Sequence, residues 1–162
     1  MSAPTVKPSP ASSLVGAKAP RAGLFIGSWT IDARQPGAPT VALHCTFDAS
    51  SGAVQGLAHL IQAVSPPLDV SSRSEGDFTY LSVMPDSSRV LVTLTGYPVL
   101  QWRTHGGVGP AQLPNLHVRM LLDADWQRGA ATVRYLSSTG GWLQVESAPV
   151  QVASDVTMAG RP

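Results

Sequence analysis

Apolar and polar residues alternate along most of the chain after Arg21, and turn-forming residues interrupt the alternation about every ten to fifteen positions. A period of two is typical of β-strands with one buried face, whereas an amphipathic helix needs a period near 3.6. No stretch of the sequence predicts a convincing helix. Nine strands are expected, near residues 23–33, 40–49, 53–64, 68–73, 77–84, 89–96, 115–122, 130–137 and 142–153.

The pattern predicts an all-β fold in a single domain that spans residues 22–158. Antiparallel strands with one dry and one wet face either pack as a β-sandwich or close into a barrel, and the alternation leaves both open. Short connections favour an up-and-down meander, which suits a small barrel of about eight strands. Residues 1–21 are rich in Pro, Ala and Ser, so we expect a disordered N-terminal arm.

The segment around Ser51-Gly52 predicts a β-hairpin with a two-residue loop. In that register His44 lies directly opposite His59 on the polar face, and Phe47 covers Gly56 on the apolar face. Two facing imidazoles could form a pH-sensitive pair or supply two ligands to a metal. A firm metal site needs three or four ligands. Because no third ligand lies nearby, no metal site is predicted.

Composition narrows the possible partners and compartments. The chain carries 11 Lys and Arg against 10 Asp and Glu, and its arginines are scattered singly, so nucleic acid is not an expected partner. No apolar run approaches the length of a membrane helix, and no secretory signal is apparent. We therefore expect no membrane span, and a location either in the cytoplasm or outside it by export without a cleaved signal peptide.

Two features that could carry reactive chemistry are interpreted as structural. Cys45 is the only cysteine and falls on the apolar face of its strand, where a buried thiol is inert. The run from His105 to Gly109 is similar to the oxyanion-hole loop of some esterases, but the chain lacks the Gly-x-Ser-x-Gly nucleophile turn of those enzymes. No catalytic residue and no cofactor is therefore predicted, and the sequence leaves enzymatic activity uncertain but favours a protein without it.

Aromatic residues supply the remaining binding candidates. Trp29 shares the parity of the apolar face and is expected in the core or beside a ligand. Tyr97 and Trp102 lead into the glycine-rich segment that contains His105, and exposed aromatic side chains beside a loop suit recognition. Trp126 falls in a turn and is expected to be exposed. The candidate binding residues are Trp29, His44, His59, Tyr97, Trp102 and His105.

Five short segments together resemble an uncharacterised Burkholderia-type family of small proteobacterial β-rich proteins. They are Gly23-Leu24-Phe25, Gly37-Ala38-Pro39-Thr40, Gly52-Ala53-Val54-Gln55-Gly56, Pro66-Pro67-Leu68-Asp69-Val70 and Gly96-Tyr97-Pro98. This resemblance implies a bacterial protein without an assigned activity. A second, local resemblance joins Gly27-Ser28-Trp29 to the first strand of avidin-type and lipocalin-type barrels, and implies a barrel that holds a small ligand.

These observations favour a non-enzymatic binding module that recognises a protein or cell-surface partner through its loops. The alternative is a barrel of avidin or lipocalin type that binds a small apolar molecule. A cavity beside Trp29 would favour the ligand, whereas a filled core with exposed Trp126 and Tyr97 would favour the partner. Pairing of strand edges between copies could also produce a homo-oligomer.

Overall fold

A computed structural model describes residues 22–83, 87–99 and 113–153 of the chain. The all-β prediction is confirmed, and the choice between sandwich and barrel is resolved in favour of a closed eight-stranded barrel. Each strand is antiparallel to its neighbours and follows the order of the sequence. The strands are β1 (Leu24–Asp32), β2 (Thr40–Asp48), β3 (Ala53–Gln62), β4 (Leu68–Val83), β5 (Ser87–Pro98), β6 (Leu116–Asp123), β7 (Arg128–Leu136) and β8 (Trp142–Val152).

The prediction of two strands at 68–73 and 77–84 was wrong, because β4 is one continuous strand of 16 residues. Residues 68–77 of β4 pair with β3 and residues 72–83 pair with β5, so the middle of the strand is paired on both sides. The apolar alternation lapses because Ser72 and Ser74 take buried inward positions, and the exposed Gly76 follows them with the same parity. At Gly76 a Cβ atom would lie 1.9 Å from the carbonyl oxygen of Thr93, so the strand needs glycine at this close approach.

The predicted register of the β2–β3 hairpin was also wrong, by two residues. The last pair of the ladder is Asp48 with Ala53, so the connection has four residues, 49–52, instead of two. The Asp48 carboxylate accepts hydrogen bonds from the N–H and hydroxyl of Ser50 and from the hydroxyl of Ser51. A shift of two residues keeps every side chain on its predicted face. The same side chains therefore form the apolar face as predicted, although each residue of β2 pairs with a different residue of β3.

The inward positions of all eight strands form one apolar core. An eight-stranded barrel is just wide enough for its own side chains to fill. The largest fully buried side chains are those of Phe47, Ile31, Leu43, Leu94, Met120, Leu122, Val41, Val54, Val90, Val92, Val118 and Val133. Cys45 lies among them, as predicted, and burial raises the pKa of its thiol to about 12.

The barrel has two different ends. The connections 33–39, 63–67 and 137–141 lie at one end, which we call the loop end, and β5 and β6 join there as well. The opposite end, which we call the turn end, carries the short connections 49–52 and 124–127, the start of β1 and the end of β8. Candidate residues are therefore distributed between two separate surfaces.

Candidate functional site

The turn end is closed by aromatic side chains. Trp126 sits in the β6–β7 connection with a φ of 65° and is only 2% exposed, so the expectation that it would be exposed was wrong. Its indole contacts the rings of Phe25, Phe47, Phe78, Tyr80 and Trp29. Among the described residues, these rings fill the turn end of the barrel and cover the core there.

Trp29 has the core position that its parity predicted, at 2% exposure. Its ring occupies the space above Gly27, where a Cβ atom would lie 2.0 Å from the ring. The indole N–H donates a hydrogen bond to the carbonyl oxygen of Trp126 across 2.9 Å. The Gly27-Ser28-Trp29 segment therefore anchors the aromatic cluster of the turn end.

His44 and His59 do not face each other, contrary to the predicted register. His44 is opposite Leu57, and its Nδ1 lies 2.9 Å from the hydroxyl of Ser28. His59 is opposite Ala42, and its Nε2 lies 2.6 Å from Oδ1 of Asp69 on β4. Both imidazoles lie on the outer face, each with its own polar partner. They do not form a joint site, because the four-residue hairpin loop moves His59 away from His44.

Metal ligation finds no support in the described segments, where no three His, Cys, Asp or Glu side chains are grouped to hold an ion. The thiol of Cys45 is buried and its pKa is raised, so it is neither a ligand nor a nucleophile at neutral pH. In the same segments, no helix has the length and apolar character needed to cross a membrane.

The remaining candidate binding residues, Tyr97, Trp102 and His105, belong to the loop end, and the structure describes only one of them. Tyr97 is half-buried near the end of β5, opposite Arg73. Trp102 and His105 lie outside the described residues. Asn115 connects the neighbouring strands, since its side chain accepts a hydrogen bond from Ser72 and its carbonyl oxygen accepts one from the N–H of Leu136. Only Tyr97, of the predicted loop-end residues, has a described position.

Sequence reasoning missed a group of exposed apolar side chains at the loop end. We call this set the loop-end patch: Leu136, Trp142 and Leu143 belong to the β7–β8 hairpin, and Val99 and Leu113 flank the β5–β6 connection. Trp142 and Leu143 point to opposite faces of β8, since neighbouring side chains alternate along a strand. Trp142 is 41% exposed and Leu143 46% exposed, at the start of β8. Leu136 pairs with Trp142 across the β7–β8 hairpin. The signal available in the sequence was the run Leu136 to Leu143, in which apolar residues bracket a Ser/Thr/Gly turn.

Two neighbouring side chains, those of His117 and Arg134, hold Trp142 on the outer face. Its ring stacks on the imidazole of His117, with centroids 5.2 Å apart. The guanidinium carbon of Arg134 lies 5.6 Å from the centre of the same ring. Such a contact orients the indole while it keeps part of its surface in water. The patch therefore contains a fixed, half-exposed aromatic anchor.

A family model for a domain of unknown function, DUF1842, matches residues 22–142. The chain belongs to this family. The match begins just before β1 and ends at the first residue of β8, so the DUF1842 domain includes seven of the eight strands and most of the loop end. No protein with a curated description matches the chain. The expectation of an uncharacterised β-rich family is thereby confirmed, and the Burkholderia-type origin stays a prediction.

Proposed function

We propose that this DUF1842 protein is a non-enzymatic binding module that recognises a protein or cell-surface partner with its loop end. The observation that carries the proposal is the loop-end patch, where five large apolar side chains are each at least one-third exposed. Clusters of exposed apolar side chains with an aromatic anchor are typical of protein recognition sites. Trp142 has the half-exposed setting of such an anchor.

Charges beside the patch indicate the character of the partner surface. Arg134 and His117 lie beside Trp142, whereas Arg73, which pairs with Tyr97, is on β4, four strands away from β8 around the barrel. Arginine and aromatic side chains are enriched at the centres of protein interfaces. A partner segment that combines apolar and acidic side chains would therefore complement this surface.

The alternative of a barrel with an internal ligand receives little support from the interior. Apolar side chains pack the core, and the depression beside Leu60, Leu68 and Leu116 at the loop end has a volume of about 10 Å³. A groove of about 310 Å³ does lie beside Trp29, but the exposed residues Ile26 and Val152 line it as well, so it is a groove on the outside of the barrel and not an internal cavity. Sites for small organic molecules occupy roughly 300 Å³ or more. The surface of the barrel, and not its interior, is therefore the better candidate for recognition.

Photo-crosslinking tests the proposal directly. A photoreactive phenylalanine derivative replaces Leu143 in one variant and Leu57 in the other, within cells of the source organism. Both leucines are half-exposed, at 46% and 54%, but Leu57 lies on the outer wall at mid-barrel. We expect a specific adduct from position 143 and none from position 57. Equal labelling at both positions, or none at either, would contradict the proposal.

The captured partner then allows a quantitative test. Binding to the purified chain is measured for Trp142→Ala and Leu143→Ser, with Leu57→Ser as the matched control. Loss of a central anchor costs at least about 2 kcal/mol, which corresponds to an increase in Kd of roughly thirtyfold. An unchanged Kd in both patch variants would exclude this surface as the binding site.

A further inference from the structure

Opposite charges are segregated between two halves of the barrel wall. Strands β1–β4 contain five carboxylates and one arginine, whereas β5–β8 contain four arginines and two carboxylates. The first group is Asp32, Asp48, Asp69, Glu75, Asp77 and Arg73, and the second is Arg89, Arg119, Arg128, Arg134, Asp123 and Glu146. The whole chain has a formal net charge of only +1. Two copies therefore do not repel each other as wholes, while their walls carry charges of opposite sign.

The contrast is sharpest on the two strands that flank β5. Asp77 of β4 and Arg119 of β6 are both exposed, and both pair with Thr93 of β5. Adjacent strands are about 4.8 Å apart, so the backbone positions of these two residues stand at the same height, about 5 Å on either side of β5. An acid and a base are thus placed symmetrically about one strand.

The same relation recurs two residues closer to the loop end. Glu75 of β4 and His117 of β6 both pair with Thr95, whose hydroxyl lies 3.4 Å from Nδ1 of His117. The outward residues of β5 between these columns are half-buried and uncharged, and they are Leu91, Thr93, Thr95 and Tyr97. Strand β5 is therefore an uncharged strip with an acidic column on one side and a basic column on the other.

These charges are not neutralised within the chain. In the described segments the sole ion pair joins His59 to Asp69. Asp77 and Arg119 therefore have no ion-pair partner there, although exposed opposite charges stand close by on the same wall. A second surface with the same pattern could satisfy both columns at once, and another copy of this wall has that pattern.

We propose that the outer face of β4, β5 and β6 is the interface of a reversible homodimer whose two-fold axis runs along β5. Rotation about this axis brings Asp77 of each copy against Arg119 of the other, and Glu75 against His117. A two-fold axis across the strands would instead set each column against itself, and like charges in contact disfavour association. The charge pattern therefore selects one of the two symmetric arrangements.

The geometry defines the strength and the consequence of this contact. Three adjacent strands of a curved wall provide less area than a stable interface buries, so a weak dimer is expected. An axis along β5 keeps the loop ends of both copies on the same side. The dimer would present two loop-end patches in one direction, although the interface itself does not depend on what those patches bind.

Sedimentation velocity of the purified full chain tests the interface. At low salt the dimer fraction should rise with protein concentration, and added salt should reduce it. Arg119→Glu should raise the dimer Kd at least about tenfold, because it creates two like-charge contacts. Arg128→Glu is the matched control, since it makes the same change in net charge at an exposed position at the start of β7. Its Kd should equal that of the wild type.

Exchange of the charges between two copies gives the decisive measurement. Asp77→Arg alone should weaken the dimer as Arg119→Glu does. An equimolar mixture of the two variants should recover it, because the heterodimer has one natural contact and one reversed contact, both between opposite charges. A wild-type chain that stays monomeric, a dimer that tolerates both reversals, or a mixture that fails to associate would each overturn the proposal.

Discussion

At the scale of single residues, Gly27, Trp29 and Trp126 depend on one another. The Trp29 ring lies where a Gly27 side chain would stand, and its N–H bonds to the carbonyl oxygen of Trp126. Trp126 adopts a positive φ that places its own ring over the end of the barrel. The glycine therefore acts through the tryptophan that covers it, and not through conformational freedom.

Gly27→Ala should reduce the free energy of unfolding by about 1–3 kcal/mol, because the added methyl group displaces the Trp29 ring from the core. Gly141→Ala is the matched control, since the nearest heavy atom to its Cβ would lie at an ordinary 3.7 Å. Urea denaturation of both variants measures the difference. Similar losses of stability in the two variants would show that the Trp29 ring does not require the glycine.

Cys45 should make stability depend on pH in the alkaline range. Burial raises the pKa of its thiol from 9.0 to about 12, so the folded state keeps the proton that the unfolded state releases. The free energy of unfolding should therefore fall by about 1.4 kcal/mol per pH unit between these two values, and show no such slope below the lower one. Urea denaturation of the wild type against Cys45→Val isolates this slope. An identical pH dependence in both chains would contradict the prediction.

At the scale of elements, the β2–β3 hairpin shows how a short loop fixes register. Gly52 has a φ of 74° and its N–H donates to the carbonyl oxygen of Asp48. The Asp48 carboxylate binds Ser50 and Ser51, and these hydrogen bonds hold its pKa below the usual value of 3.8. The loop is therefore stabilised by a charged acceptor.

Asp48→Asn should lower stability at neutral pH, and the deficit should shrink in acid. A carboxyl with a depressed pKa stabilises the fold above its unfolded pKa of 3.8 and loses this effect as pH falls through its lower folded value. Urea denaturation near pH 7 and again below about pH 3 measures the change. Ser51→Ala, which removes one donor, should give a smaller deficit with the same pH trend. A deficit independent of pH would argue against the carboxylate as the cause.

The same hairpin shows what sequence can and cannot predict. Alternation identified the buried face of β2 and β3 correctly, because parity survives a shift of two residues. It could not supply the loop length, so the pairing of His44 with His59 was wrong. Trp126 was misplaced for a different reason: its local sequence indicates a surface turn, whereas the aromatic cluster at the turn end provides a buried place for its ring. The first error concerns the length of a local loop, and the second concerns contacts between residues far apart in the sequence.

At the scale of the whole molecule, the barrel uses its interior for stability and leaves recognition to its surface. The core is continuous from the aromatic cluster at the turn end to Leu116 and Tyr135 near the loop end. Its side chains leave little room for a ligand beside them. Exposed apolar residues include those of the loop-end patch and Leu24 and Ile26 on β1, and others such as Leu57, Ile61 and Leu81 lie elsewhere on the outer surface.

Because the interior is filled, substitution of a buried leucine should cost far more unfolding free energy than substitution of an exposed one. Leu43 is fully buried inside the barrel, whereas Leu57 on the next strand is 54% exposed on the outer wall. Leu43→Ala should cost about 2–5 kcal/mol of unfolding free energy, since it loses apolar contacts and leaves a void. Leu57→Ala should change it by less than about 0.5 kcal/mol. Urea denaturation of both variants measures these values.

The void left by Leu43→Ala should also make the interior accessible to a small apolar probe such as benzene. Benzene should raise the Tm of Leu43→Ala and leave that of the wild type unchanged. A wild-type chain that is stabilised by benzene as strongly as the variant would show that the barrel already contains a ligand site, and would favour the internal-ligand alternative over recognition at the loop end.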